Sequence, residues 1–197
     1  MASAVRKLKD NYTYQDYLSW ETDVRYEILD GVAYALAAPA TIHQRILRRL
    51  SSQLDSFLKD KKCELFFAPF DVRLEAQIYD TNVVQPDLLV VCDQSKIDDK
   101  GCNGVPDFII EILSPSSIQI DMLKKYNIYL RMGVREYWIV DPENKIVHTY
   151  TLKDGNYIAN IYGVDNVVSS QVLEGCDIKL AEIFEQQSQT TDSSIQS

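Results

Sequence analysis

No apolar run in this chain approaches the roughly 20 residues that a membrane-spanning helix requires, so no transmembrane helix and no membrane partner is expected. The opening residues, Met1 to Asp10, lack the apolar core of a secretory signal, and a cytoplasmic location is expected. Cysteine is scarce: Cys63, Cys92, Cys102 and Cys176 stand far apart with no Cys-x-x-Cys pair. Neither a zinc site nor a disulfide framework is therefore expected, and reduced thiols suit the cytoplasm. Seven glycines and six prolines form no Gly-rich phosphate loop and no Gly-x-Ser-x-Gly elbow. Capping explains Ser114 to Ser117 better than nucleophilic chemistry. The two histidines, His43 and His148, have no metal-ligand spacing. Positive charge is short as well, with 20 Lys and Arg against 29 Asp and Glu and a net charge of −9. That balance argues against a broad basic surface for nucleic acid, and leaves room only for a local cleft.

What the chain does have is an acid in an unexpected place. Phe108-Ile109-Ile110-Glu111-Ile112-Leu113 reads as a fully buried strand. Alternation puts Ile109, Glu111 and Leu113 on one face and Phe108, Ile110 and Ile112 on the other. Both faces are apolar, so the Glu111 carboxylate must be paired, protonated or bound to a cation. Asp87 heads a similar run, Gln85-Pro86-Asp87-Leu88-Leu89-Val90-Val91. Two acids on neighbouring apolar strands point to a metal site, although Asp87 alone also reads as a turn-capping residue.

The rest of the chain reads as one mixed α/β domain over residues 1–185, followed by a Gln/Ser/Thr-rich tail, 186–197, expected to be disordered. A short helix spans Tyr12 to Trp20 with Thr13 as cap, and a hairpin over Arg25 to Ala37 turns at Asp30-Gly31. A long helix covers Thr41 to Lys59, its apolar stripe formed by Ile42, Ile46, Leu47, Leu50, Leu54, Phe57 and Leu58. Strands follow at Glu64 to Leu74 and Pro86 to Cys92, and Asp93 to Pro106 reads as a surface excursion. After the Glu111 strand comes a helix from Ile118 to Met132 closed by Gly133, then strands at 136–141, 146–152 and 157–163 and a short helix over Leu180 to Phe184.

The helix after Glu111 carries a lysine on its apolar side. Ile118, Met122, Tyr126, Tyr129 and Met132 share one face, and Lys124, Asn127 and Arg131 occupy the opposite one. Lys125 falls near the apolar face, with Asp121 one turn before it and Tyr129 one turn after. It must snorkel or meet an anion inside. Glu111 with Lys125 reads either as a structural ion pair or as part of a catalytic site. Asp121 reads equally as a first-turn acid facing the helix dipole, Tyr129 as packing, and His43 as structural or as a residue lining the cleft.

An acid after proline on one strand, followed 24 residues later by an acid on the next, resembles the PD-(D/E)xK nuclease superfamily. A longer pattern is more specific. It comprises Arg25-Tyr26-Glu27-Ile28-Leu29-Asp30-Gly31, Gln85 to Val91, Glu111-Ile112-Leu113-Ser114-Pro115-Ser116, Asp121 with Lys125 and Tyr129, and Gly133 to Pro142. This pattern resembles the Uma2 family of restriction-endonuclease-like proteins, of the cyanobacterial type, over about Tyr12 to Leu180. The resemblance implies a central mixed β-sheet flanked by helices, with an N-terminal hairpin and a C-terminal β extension. It implies Asp87 and Glu111 as ligands of Mg²⁺ or Mn²⁺, with Glu27 as a third ligand or water-orienting acid. Asp121, Tyr129 and His43 are auxiliary candidates. The superfamily lysine, two positions after the acid, is replaced by Leu113, and Lys125 is its natural substitute. The implied activity is metal-dependent cleavage of DNA, with a homodimer as the implied assembly; a non-catalytic binding or assembly module on the same fold is the alternative.

Overall fold

The computed structural model describes residues 5–6 as strand and residues 11–185 in full. The tail expected at 186–197 lies outside the described residues. Strands are numbered in chain order. The central sheet has six strands in the order β13-β12-β11-β10-β7-β4. These are β13 (Asn156–Gly163), β12 (Ile146–Lys153), β11 (Glu136–Asp141), β10 (Phe108–Ile112), β7 (Leu88–Val91) and β4 (Glu64–Phe67). Only β10 and β11 run parallel; every other neighbouring pair is antiparallel. A second sheet of seven short strands holds β1 (Val5–Arg6), β3 (Val32–Ala35), β2 (Tyr26–Leu29), β6 (Val83–Val84), β5 (Val72–Arg73), β9 (Gly101–Asn103) and β8 (Ile97–Asp98), in that order. Two further strands, β14 (Val167–Ser169) and β15 (Asp177–Lys179), pair with each other. The mixed α/β class and the N-terminal hairpin agree with the expectation from sequence.

The central sheet is buried on both faces. On one side Ile46, Leu50, Leu54 and Leu58 of α2 (Thr41–Leu58) meet Leu88, Val90, Phe108, Ile110, Ile112, Trp138 and Val140. The short α4 (Leu180–Phe184) joins this layer through Leu180, Ile183 and Phe184. On the other side Leu89, Val91, Ile109, Leu113, Tyr137 and Ile139 meet Leu29, Val72, Leu74, Val84 and Cys102 of the second sheet. Ile128 and Tyr129 of α3 (Tyr126–Met132) complete that layer. The alternation of Ile109 and Leu113 against Phe108, Ile110 and Ile112 thus holds strand by strand.

Local signals explain the element ends. Thr13 caps α1 (Tyr14–Tyr17) in a reciprocal capping box with Asp16. Asp30 and Gly31 both take positive φ, 47° and 76°, as the two-residue hairpin turn demands. Gly133 ends α3 at φ 81°.

Several expectations are corrected. Residues 64–74 are two strands in different sheets, β4 and β5, divided by the Ala68-Pro69 segment with its cis bond. The span 93–106 is a surface excursion only in its first part: residues 93–100 are mostly exposed, whereas β9 lies beside β5 with Cys102 fully buried. Ile42 and Ile118 are exposed rather than in the apolar stripes, while His43 is buried in the first turn of α2. The helix after Glu111 opens with a π-helical segment, Ile120–Lys125, which has no side-chain cap at Gln119. The cysteines are not all reduced: Cys63 and Cys92 form a disulfide, while Cys102 and Cys176 are free and buried. Pairing of Glu64 with Val91 carries the strands directly into that bond, a register invisible in the spacing of the cysteines.

Glu136 ties the C-terminal layer to the sheet. Its buried carboxylate accepts from Trp138 Nε1 at 2.7 Å, Ser170 Oγ at 2.6 Å, and the backbone N–H groups of Gln171 and Val172, both at 2.9 Å. Glu136→Ala would strand the buried Trp138 N–H, at a cost of roughly 1–3 kcal/mol, and the part-buried N–H groups of Gln171 and Val172 at a smaller cost each. The variant is expected to lose about 1–3 kcal/mol of unfolding free energy on this count. Urea denaturation checks this, and a loss below about 1 kcal/mol would refute the anchoring role.

Candidate active site

The parent element of the site is the edge where β7 begins and β10 ends. Antiparallel pairing matches Leu88 with Ile110 and Leu89 with Ile109, which brings Asp87 alongside Glu111 one step further on. The Asp87 N–H donates to Glu111 Oε2 at 3.4 Å, and Asp87 Oδ2 accepts from the Ile112 N–H at 2.7 Å. The same Oδ2 lies 3.0 Å from His43 Nε2. Asp87 Oδ1 therefore carries no hydrogen bond among the described residues, and Asp87 and Glu111 both line a cleft of ≈810 Å³.

Lys125 fills the interior side of this cleft. Its Nζ donates to Glu111 Oε1 at 2.8 Å and to Glu27 Oε1 at 2.9 Å, and lies 3.6 Å from Asp121 Oδ1. Tyr129 Oη donates to the same Glu111 oxygen at 3.1 Å. Glu27 sits on β2 and also accepts the Gln85 N–H at 2.7 Å, so it faces the lysine rather than Asp87. Lys124 points the other way, exposed, with its ammonium against the Tyr34 hydroxyl and ring. All seven residues singled out from sequence, Glu27, His43, Asp87, Glu111, Asp121, Lys125 and Tyr129, therefore converge around one cleft and its floor. Leu113 is buried in one apolar cluster with Ile128, Tyr129 and Tyr137.

Burial opposes charge on Lys125, yet Glu111, Glu27 and Asp121 together outweigh it and hold the ammonium well above its ordinary range. Burial also pushes Glu111 well above the usual carboxylate range, Lys125 opposing it and the neighbouring acids reinforcing it. Asp121 is pushed up to about 6, again chiefly by burial against the pull of Lys125. Lys125 is therefore a fixed donor and positive charge, not a base.

Among the described residues no group of three or more His, Cys, Asp or Glu side chains is arranged to hold a metal ion. Glu27 is instead ion-paired with Lys125. A hard cation at this place would have two side-chain ligands, Asp87 and Glu111, with water or substrate oxygens completing its shell. Mg²⁺ commonly binds in that fashion, so the donor set fits. Gln85 was missed by sequence reasoning: it lines the cleft, its Nε2 donates to Asp71 Oδ1 at 2.8 Å, and its buried Oε1 has no partner among the described residues. Its place two residues before Asp87 was the only available signal.

Removing Lys125 leaves three buried acids without their countercharge. Lys125→Met is expected to cost about 3–5 kcal/mol near neutral pH. The acids then take pKa values further above those of the unfolded chain, so the folded state binds more protons. The deficit should accordingly shrink as pH falls through about 6, where Asp121 titrates even with the lysine present. Thermal melts from pH 7 to pH 5 check this; a pH-independent deficit would mean the acids are not coupled to Lys125.

Comparison with known proteins follows the same lines. An uncharacterized Synechocystis protein, slr1290, is 28% identical over 144 residues, 71% of this chain and 74% of its own length. A crystal structure of a "putative nuclease belonging to DUF820" from Anabaena variabilis superposes with a TM-score of 0.70 at 21% identity, covering 88% of this chain and 97% of that one. The second likeness shows a shared fold. A model of the Uma2 family, described as "Putative restriction endonuclease", matches residues 14–181, from the first helix to the last, and the chain belongs to that family.

Proposed function

We propose that this protein is a divalent-metal-dependent endonuclease that hydrolyses DNA phosphodiester bonds. The observation that carries the reading is the meeting of Asp87 and Glu111 at one cleft edge with the Lys125 ammonium 2.8 Å from Glu111. Electrostatics supports a cation there. Glu27, Asp87, Glu111 and Asp121 set four carboxylates against one ammonium and one imidazole. An excess of buried negative charge is relieved by protonation or by a cation, and carboxylate oxygens select Mg²⁺ or Mn²⁺.

When bound, the metal would supply Lewis acidity toward a phosphate oxygen and toward water. The chain's own residues do the rest. Asp87 is fixed by the Ile112 N–H and by His43, so its free oxygen needs no reorganisation to receive a ligand. Glu111 is held between Tyr129 Oη and Lys125 Nζ on Oε1, which leaves Oε2 toward Asp87. Lys125 keeps its proton, orients a water or a phosphate oxygen through its remaining N–H capacity, and offsets negative charge as it develops on the phosphoryl group. Glu27 and Asp121 keep the ammonium in place.

The acidic cleft bears on partners too. With a net charge of −9, affinity for DNA depends on a cation and on local donors rather than on a broad basic face. A homodimer would offer one cleft to each strand of a duplex. Among the described residues no helix is long and apolar enough to cross a membrane. A binding or assembly module remains the second reading, favoured by the way Glu27 completes the cage around Lys125 as a self-contained ion cluster.

Calorimetric titration with Mn²⁺ separates the two. The enzyme reading expects stoichiometric binding that Asp87→Ala abolishes; absence of binding by the intact protein would leave the module. A plasmid-nicking assay below the melting temperature of each variant supplies the second check. Lys125→Met is expected to lose cleavage by at least about a hundredfold, in line with removal of one preorganised donor. Lys124→Met should cleave within about threefold of the unaltered protein, apart from a modest salt-sensitive loss if it touches phosphate. Equal losses in both would show that Lys125 has no special role.

A further inference from the structure

The two edges of the central sheet are finished differently. At one edge β4 has four residues, contains Glu64, follows Lys61 and Lys62, and runs on to Pro69. Shortness, charge and proline are the usual protections of an edge against pairing with another chain. At the other edge β13 has none of them. Its eight residues, Asn156-Tyr157-Ile158-Ala159-Asn160-Ile161-Tyr162-Gly163, include no charge and no proline. Asn156 and the run from Ile158 to Ile161 are exposed, with Ile158 49% and Ile161 64% accessible.

Three observations fix which backbone groups of β13 face outward. Asp154 and Gly155 form a two-residue turn with φ of 49° and 78°, so Lys153 and Asn156 close the hairpin as a hydrogen-bonded pair. The Leu152 N–H donates to the Arg135 carbonyl at 2.9 Å, on the β11 side, so the backbone of Thr151 faces β13 opposite Ile158. At the far end, the Gly163 N–H donates to Asn166 Oδ1 at 2.8 Å, and the Gly163 carbonyl accepts from the Asn166 N–H at 3.0 Å. Alternation then turns the N–H and C=O groups of Asn156, Ile158, Asn160 and Tyr162 toward β12, and those of Tyr157, Ala159 and Ile161 outward. The outward groups have no partner among the described residues.

We propose that β13 is a self-association edge, pairing antiparallel with β13 of a second copy about a two-fold axis at Ala159. The outward groups themselves select this occupant. A two-fold axis normal to the sheet continues each face of one copy into the same face of the other, so facing residues must share a face. Centred on Ala159, outward residues face only outward residues: Ala159 meets the partner's Ala159, and Tyr157 meets the partner's Ile161. Each facing pair exchanges two hydrogen bonds, and no outward donor or acceptor is left over. Centring on Asn160 would instead set Tyr157 against Gly163, whose backbone Asn166 already occupies. Side chains agree with the first register. The exposed Ile161 of one copy comes beside Tyr157 of the other, which stands against Tyr126 and Tyr150 at ring distances of 5.4 and 5.9 Å. Aromatic and β-branched residues make favourable cross-strand pairs. A chain of net charge −9 repels its own copy, and contact through an uncharged strand adds no like charge to that repulsion. The pairing is independent of the nuclease reading, since no residue lining the cleft lies on β12 or β13.

Sedimentation velocity of the full chain reads the assembly over roughly 1–500 µM, because one strand pairing makes an interface at the small, weak end of the usual range. A monomer–dimer equilibrium within that range is expected. Ala159→Pro removes an outward N–H on an edge strand, where proline is tolerated, and Ile161→Lys sets a charge against the partner's Tyr157. Each is expected to weaken dimerisation at least about tenfold while keeping the far-UV circular dichroism of the unaltered protein. Cysteine variants test the register separately. In this pairing the two copies of residue 159 stand about 5.5 Å apart between Cα atoms, within disulfide range. Ala159→Cys should therefore run as a covalent dimer on a non-reducing gel. Asn160→Cys, whose copies lie roughly 8 Å apart, should run as a monomer. The native cysteines do not interfere, since Cys63 and Cys92 are bonded and Cys102 and Cys176 are buried. A monomer at every concentration overturns the proposal, as does a dimer that neither Ala159→Pro nor Ile161→Lys weakens. Crosslinking through Asn160→Cys rather than Ala159→Cys overturns the axis at Ala159.

Discussion

One buried ammonium organises this molecule. Lys125 meets Glu111 on the central sheet, Glu27 on the second sheet and Asp121 on its own helical segment. Taking four charged groups out of water costs several kcal/mol for each ion, and only mutual attraction with good geometry offsets that. The consequence is rigidity of position. The helix cannot slide over the sheet, and the N-terminal hairpin cannot leave, without exposing a charge to an apolar wall. The π-helical turns of Ile120–Lys125 belong to the same constraint, because they bring Asp121 and Lys125 to the interior together. Such widened turns gather at functional sites for this kind of reason.

The position of the lysine follows from the connection that carries it. Parallel strands need a crossover, and β10 and β11 are the one parallel pair of the central sheet. That crossover is the segment from Ser114 to Arg135, whose helix must lie back over the sheet face that holds Ile109, Glu111 and Leu113. A long side chain from its inner face can reach Glu111 as readily as one from the strand two residues on. Leu113 is then free to be apolar, and it packs against Ile128 and Tyr129 of that helix. The strand loses a charge and gains packing, while the ammonium stays beside the acid.

The sequence shows Glu111 and Lys125 clearly because each breaks a local pattern: an acid within a two-faced apolar strand, a lysine on the wrong side of a helix. His43 breaks no pattern of that kind, and its contact with Asp87 depends on where a distant helix begins. The strand expected at 136–141 comes through with its bounds, and the one expected at 146–152 runs one residue further. Pairings between strands do not come through, since register depends on partners far along the chain. The Cys63–Cys92 bond, the split between β4 and β5 and the burial of Cys102 beside β5 are all of this type. Ile42 and Ile118 misled for a related reason: each sits at a helix start, where the hydrophobic stripe has not yet reached the sheet.

Acidic composition and a nucleic-acid substrate become compatible once the location of charge is considered. Most carboxylates of the cleft are not available to repel a phosphate, because Glu27, Asp121 and one oxygen of Glu111 already face Lys125. What remains open to the cleft is chiefly Asp87, whose Oδ1 carries no hydrogen bond among the described residues. Under the proposed function a divalent cation would invert the sign of the charge there. Charge counted along the sequence sums groups that the fold has paired and hidden, so the cleft has an electrostatic character of its own. The same caged acids that make the chain look hostile to DNA are what keep one lysine charged beside Glu111.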